Sequence, residues 1–129
     1  MLAKDIMTRE VTTVKPDLSM HELAKTFARH HISGAPVVDE KGKVTGVVSD
    51  GDILSKKGER VSSLMSKTLI FVNEDVPVEK IAELMIANKI KRVPVFSGEK
   101  LVGIVSRADI IRAIAMGKHI AMHTPIYDL

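Results

Sequence analysis

A chain of 129 residues, 45% apolar and 27% charged, can bury one good core but cannot hold two ordinary domains unless each is a small repeat sharing its core with the other. Only 3% of residues are aromatic, so Ile, Val, Leu and Met must build that core, and the absence of Cys excludes disulfides, thiolate nucleophiles and Cys-ligated zinc. The net charge of +3 comes from basic residues interleaved with acidic ones, which argues against nucleic acid as a partner. No apolar run reaches bilayer length and the N-terminus lacks a signal-peptide core, so a cytoplasmic protein with no membrane partner is expected.

In chain order the elements come twice. Asp5-Ile6-Met7 reads as a turn of helix, and Val11 to Val14 as a brief extended run. Ser19 and Glu22 form a capping-box pattern ahead of Met20, Leu23, Ala24, Phe27 and Ala28, whose spacing puts one apolar stripe on a helix. That helix ends at His30 and His31, where an imidazolium suits the C-terminal dipole. Two strands follow, Ala35 to Val38 and Val44 to Val48, joined by a turn at Asp39 to Gly42. A last helix starts at Ser49 and stops near Gly58, a residue suited to a left-handed closing position. Sliding the sequence by 58 residues, or 57 beyond Gly42, repeats the pattern: Ser63-Leu64-Met65, Leu69 to Val72, a helix opened by Pro77 with Val78, Ile81, Ala82, Met85 and Ile86 as its stripe, strands Val93 to Phe96 and Leu101 to Val105 around a turn at Ser97 to Lys100, and a helix from Ser106 to Gly117. Identities include Met7/Met65, Val14/Val72, Asp17/Asp75, Ala24/Ala82, Ile32/Ile90, Pro36/Pro94, Gly46/Gly103, Ser49/Ser106 and Asp52/Asp109. The expected division is a first repeat over 1–58, a second over 59–116 and a tail over 117–129, mobile or docked on a partner. In that tail His119 and His123 have i, i+4 spacing but lack a third ligand, so no metal site is expected.

The best-kept stretch is Gly46-Val47-Val48-Ser49-Asp50-Gly51-Asp52, repeated as Gly103-Ile104-Val105-Ser106-Arg107-Ala108-Asp109. A β-branched run turning into a helix at Ser, with Asp three residues later, has two readings. One is a capping box that satisfies the open amides of the first turn. The other is a nucleotide site, with the carboxylate on a ribose diol and the amides favouring phosphate. Neither Ser has a nearby His as base, and the repeated Asp residues belong to separate copies, so hydrolytic chemistry is unsupported.

His31-Ile32-Ser33-Gly34-Ala35-Pro36-Val37-Val38 and Lys89-Ile90-Lys91-Arg92-Val93-Pro94-Val95-Phe96, each leading to Gly-hydrophobic-x-Ser-x-x-Asp, resemble a tandem pair of CBS domains, the cystathionine β-synthase-type repeat also called a Bateman module. The resemblance covers about residues 1 to 116. It implies an α+β fold of two β-α-β-β-α units about a pseudo-two-fold axis, pairing into a homodimer. It also implies a non-catalytic, adenine-nucleotide-binding regulatory module for AMP, ADP, ATP or S-adenosylmethionine, with no required cofactor, acting in trans on an unknown partner because no effector domain is attached. Carried over by residue, Asp52 and Asp109 would hold ribose, supported by Ser49 and Ser106. Thr12 and Pro36 would line one base, Ile70 and Pro94 the other. Arg92, with Lys91, would meet phosphate, whereas Gly34 stands at the matching place in the first repeat, so the two clefts should differ. The rival expectations are a ligand-free homodimerisation scaffold and a nucleic-acid-binding regulator.

Overall fold

The computed structural model describes residues 1–117; the expected tail beyond Gly117 and its His119/His123 pair lie outside the described residues. The chain divides into a contiguous unit, Val11–Leu69, and a composite unit that joins Met1–Glu10 to the chain from Ile70 onward. Sequence repeat and compact unit are therefore different divisions of the chain, because each repeat's leader packs in the other repeat's unit.

In the contiguous unit, β1 (Gly34–Val38) and β2 (Val44–Ser49) form an antiparallel hairpin, with Val14 bridging Val37 on the free side of β1 and Ser66 bridging Val47 on that of β2. Helix α2 (Met20–His30) precedes the hairpin; α3 (Asp50–Ser55) and α4 (Val61–Leu64) follow it. The core is Val14, Leu23, Phe27, Ala35, Val37, Val48, Val61 and Leu64. In the composite unit, β3 (Val72–Asn73) runs parallel to β4 (Arg92–Ser97), which is antiparallel to β5 (Lys100–Ser106), and Thr8 bridges Ile104 beyond β5. Helices α1 (Ala3–Ile6), α5 (Val78–Asn88) and α6 (Arg107–Ala115) complete it. Its core contains Ala3, Met7, Ile81, Met85, Val93, Val95, Val105 and Ile110.

The exchanged leaders are tied by matching hydrogen bonds. Val78 N donates to Met1 O and Ala3 N to Val76 O; equivalently, Met20 N donates to Glu59 O and Val61 N to Leu18 O. Room for the leaders comes from Gly103 and Gly46. A Cβ on Gly103 would lie 2.5 Å from Met7 Sδ and 3.0 Å from Thr8 O, and one on Gly46 would collide with the carbonyl of Ser66.

Several local expectations change. The extended runs shrink to Val14 and to Val72–Asn73. The leader turns begin earlier, at Ala3 and Val61, leaving Met7 and Met65 as extended caps. Ser19 caps α2 by accepting from Glu22 N at 3.1 Å, while the Glu22 carboxylate turns 3.6 Å from Lys25 instead of closing a box. Pro77 is the extended N-cap of α5 rather than its first helical residue. Gly58 does not close α3, which ends at Ser55 with Lys56 extended. Gly58 instead lets the chain pass Ser63, whose Cβ a side chain there would meet at 2.7 Å, whereas Gly117 follows α6 at φ +79° as expected. Leu23, Phe27, Ile81 and Met85, which the stripe alone could not divide between core and interface, are all buried in their own units.

Candidate functional site

Each unit carries one strand-to-helix junction built the same way. The last residue of the hairpin is the helix N-cap, and its hydroxyl and the N3 carboxylate satisfy each other's amides, so the capping-box reading holds at both places. In the contiguous unit Ser49 N and Oγ donate to Asp52 Oδ2 at 2.9 and 3.2 Å, and Asp52 N donates back to Ser49 Oγ at 3.3 Å. In the composite unit Ser106 N and Oγ donate to Asp109 Oδ2 at 2.8 and 3.1 Å, with Asp109 N on Ser106 Oγ at 3.1 Å.

The outer carboxylate oxygens differ. Asp52 Oδ1 is 2.8 Å from Lys56 Nζ, which also donates to Leu64 O. Asp109 Oδ1 accepts from Arg112 Nη1 at 2.9 Å and from Thr8 Oγ1 at 3.2 Å. Asp109 is 5% exposed and is the one buried charged residue among those described. Lys56 and Arg112 lie one helical turn after their Asp, a spacing legible in the sequence though not used there. Thr8 carried no local signal.

The register of each hairpin places the other candidates. Gly34 pairs with Ser49 and Arg92 with Ser106, so the expected phosphate position sits across the ladder from each cap. The backbones lock the same corner, Asp50 N donating to Ser33 O and Arg107 N to Lys91 O. Thr12 and Pro36 share the contiguous unit with Ser49 and Asp52, while Ile70, Pro94, Lys91 and Arg92 share the composite unit with Ser106 and Asp109. Thr12 and Ile70 are half-buried and Lys91 exposed. Pro36 and Pro94 are less than 2% exposed, so their rings can back a ligand site but offer little open surface. The charge asymmetry is also plain: the first helical residue is Asp50 in one unit and Arg107 in the other. Among the described residues no group of three His, Asp or Glu could hold a metal, and no helix is long and apolar enough to cross a membrane.

Comparison with known proteins gives one pattern. The family model described as CBS domain matches twice, at residues 3–59 and 61–116. Among solved structures, the CBS domain pair of protein MJ0100, in complex with 5-methylthioadenosine and S-adenosyl-L-methionine, is 34% identical with a TM-score of 0.85, covering 92% of this chain and 98% of that one. CBSX2 in complex with AMP is 28% identical with a TM-score of 0.83, over the same shares. Curated relatives include the inosine-5'-monophosphate dehydrogenase of Methanocaldococcus jannaschii, 34% identical over 85% of this chain but only 23% of that protein. The CBS domain-containing protein YhcV of Bacillus subtilis is 34% identical over 83% of this chain and 81% of its own length. Against the relatives that carry enzyme names, the chain spans about a quarter to a third of the length, 23% of the dehydrogenase and 32% of a zinc metalloprotease.

Proposed function

The chain belongs to the CBS domain family as a tandem pair, and from that premise we propose that it is a non-catalytic sensor of adenosine-containing ligands that regulates a separate protein in trans from the cytoplasm. In each unit the Asp accepts the ribose diol, Asp52 in one and Asp109 in the other, while Ser49 and Ser106 hold the carboxylate in place. Thr12 and Ile70 meet the base, with Pro36 and Pro94 behind them. Arg92 and Lys91 favour phosphate in the composite unit; Gly34 and Asp50 disfavour it in the contiguous one. The observation that carries the reading is the recurrence of one junction, an Asp carboxylate held by the cap serine at the hairpin's end, in a fold whose solved neighbours hold AMP, 5-methylthioadenosine and S-adenosyl-L-methionine.

A second copy of this chain is the partner we assign to the apolar helix faces. In the composite unit a groove of about 370 Å³ is lined by Ala82, Met85, Ile86, Arg107, Ile110 and Ile111. Ile86 and Ile111 are 71% and 64% exposed at its rim, which favours burial against another copy. Light scattering at micromolar concentration should give the mass of a dimer, and a monomer mass would refute the assignment.

For an AMP-sized ligand a ceiling of roughly 0.3 kcal/mol per heavy atom gives a dissociation constant on the order of 10 µM. A thermal-shift panel of AMP, ADP, ATP and S-adenosylmethionine at about a hundredfold excess should raise the melting temperature by several degrees for at least one of them. A flat response to all four would leave a ligand-free scaffold as the better reading.

A further inference from the structure

An ionised carboxylate offers about four lone-pair sites, and in Asp109 all four are taken: two on Oδ2 by Ser106 and two on Oδ1 by Thr8 Oγ1 and Arg112 Nη1. Asp52 receives three such contacts among the described residues. A ribose diol that donates two hydrogen bonds to Asp109 has no empty site to use. The Ser106 bonds belong to the cap and to the backbone, so Oδ1 is the oxygen that must be vacated. We propose that Thr8 and Arg112 act as positioning residues that set the affinity of the composite unit for adenosine-type ligands by occupying the carboxylate oxygen the diol requires.

This rests on the reading of Asp109 as the ribose acceptor. Thr8 reaches the site from the other repeat's leader: its backbone bridges Ile104, the Thr8 N–H on Ile104 O at 2.8 Å, and Gly103 makes the space. Thr8 is itself exposed, so its hydroxyl can turn to water when displaced. Ligand entry at this junction therefore trades internal hydrogen bonds for new ones, and removing an internal donor leaves Asp109 short of a partner until the ligand arrives.

The test is calorimetric titration of the full chain with adenosine, which carries the diol without phosphate, so the charge of Arg112 does not confuse the result. Thr8→Val should bind adenosine about three- to tenfold tighter at one site, Thr8→Ser should bind as the unsubstituted chain does, and Arg112→Met should shift in the same direction as Thr8→Val. With 2′,3′-dideoxyadenosine the gain should vanish, since that ligand makes no demand on Oδ1; a general loosening of the fold would move both ligands alike. Asp109→Ala separates the two levels of the argument. If it weakens adenosine but neither Thr8→Val nor Arg112→Met tightens it, or either tightens the dideoxy ligand equally, the affinity-setting role is overturned and the ribose reading stands. If Asp109→Ala leaves adenosine binding unchanged, both fall.

Discussion

The junctions at Ser49–Asp52 and Ser106–Asp109 share their inner bonds to within 0.2 Å yet differ in what holds the outer oxygen. Asp52 has one lysine from the residue that follows its short helix, with that lysine's hold divided with Leu64 O. Asp109 has an arginine from its own helix and a hydroxyl from a leader far away in sequence. Ser66 occupies the place of Thr8 in the contiguous unit and bridges Val47 as Thr8 bridges Ile104, but it makes no side-chain bond to Asp52 among the described residues. The local motif thus builds the box alike in both units, and among the described residues it is in the composite unit alone that the remote leader adds a hydroxyl to the outer oxygen.

Four measurements test how far the two units are alike, the first three by urea unfolding. Leu23→Ala and Ile81→Ala occupy matching, fully buried positions and should each lower stability by about 2–5 kcal/mol, by similar amounts because both lie in a unit core. Gly46→Ala should lower it by about 1–3 kcal/mol, and more than Gly103→Ala. The new methyl meets a backbone carbonyl in the first case and chiefly the flexible Met7 thioether in the second. Equal losses would mean that the leader of the composite unit is as rigidly seated as its counterpart. Next come Asp52→Ala and Asp109→Ala, each removing a cap at about 0.5–2 kcal/mol. The buried Asp109 should be the costlier, since its loss removes four side-chain contacts against three at Asp52.

The smallest effect concerns the hairpin turns. Backbone N–H groups of Lys43 and Lys41 donate to the Asp39 carboxylate, both at 2.9 Å, and hold its pKa below the usual carboxylate range. A depressed pKa in the folded state means stability that is present at neutral pH and lost as pH falls through that lowered value. Asp39→Asn should therefore reduce the acid sensitivity of the β1–β2 hairpin, read by hydrogen exchange across pH 2 to 6. The β4–β5 turn, with Ser97, Gly98, Glu99 and Lys100 in place of this Asx-type turn, should show little change.

Much of this was legible because it is local. The Val-rich runs of β2 and β5, the Ser-x-x-Asp spacing and the i, i+3, i+4 stripes fix strands, caps and helix faces wherever they occur. Gly58 was misread because a glycine a few residues past a helix looks like a closing residue whether its role is backbone freedom or, as here, close passage by Ser63. Leu23 and Ile81 could not be assigned to core or interface, since a stripe gives a face and not what covers it. Thr8 was invisible, as nothing near it in sequence announces a partner such as Asp109, |i−j| = 101. The leader exchange was hidden for the same reason: two similar repeats offer each leader two equivalent docking places, and periodicity cannot choose between them.

That exchange also sets an order of events during synthesis. Everything in the contiguous unit has been made once Leu69 is polymerised, so it can close while the remainder is still being translated. Met1–Glu10 is made before the contiguous unit but completed after it: α1 waits for Val76 and Val78, and Thr8 for Ile104 in β5. Through that interval Ala3 and Met7, both core residues of the finished protein, have no partner to cover them. The segment Met1–Glu10 is made before the contiguous unit and finds its place after it, a high-contact-order closure of the kind that makes folding slow.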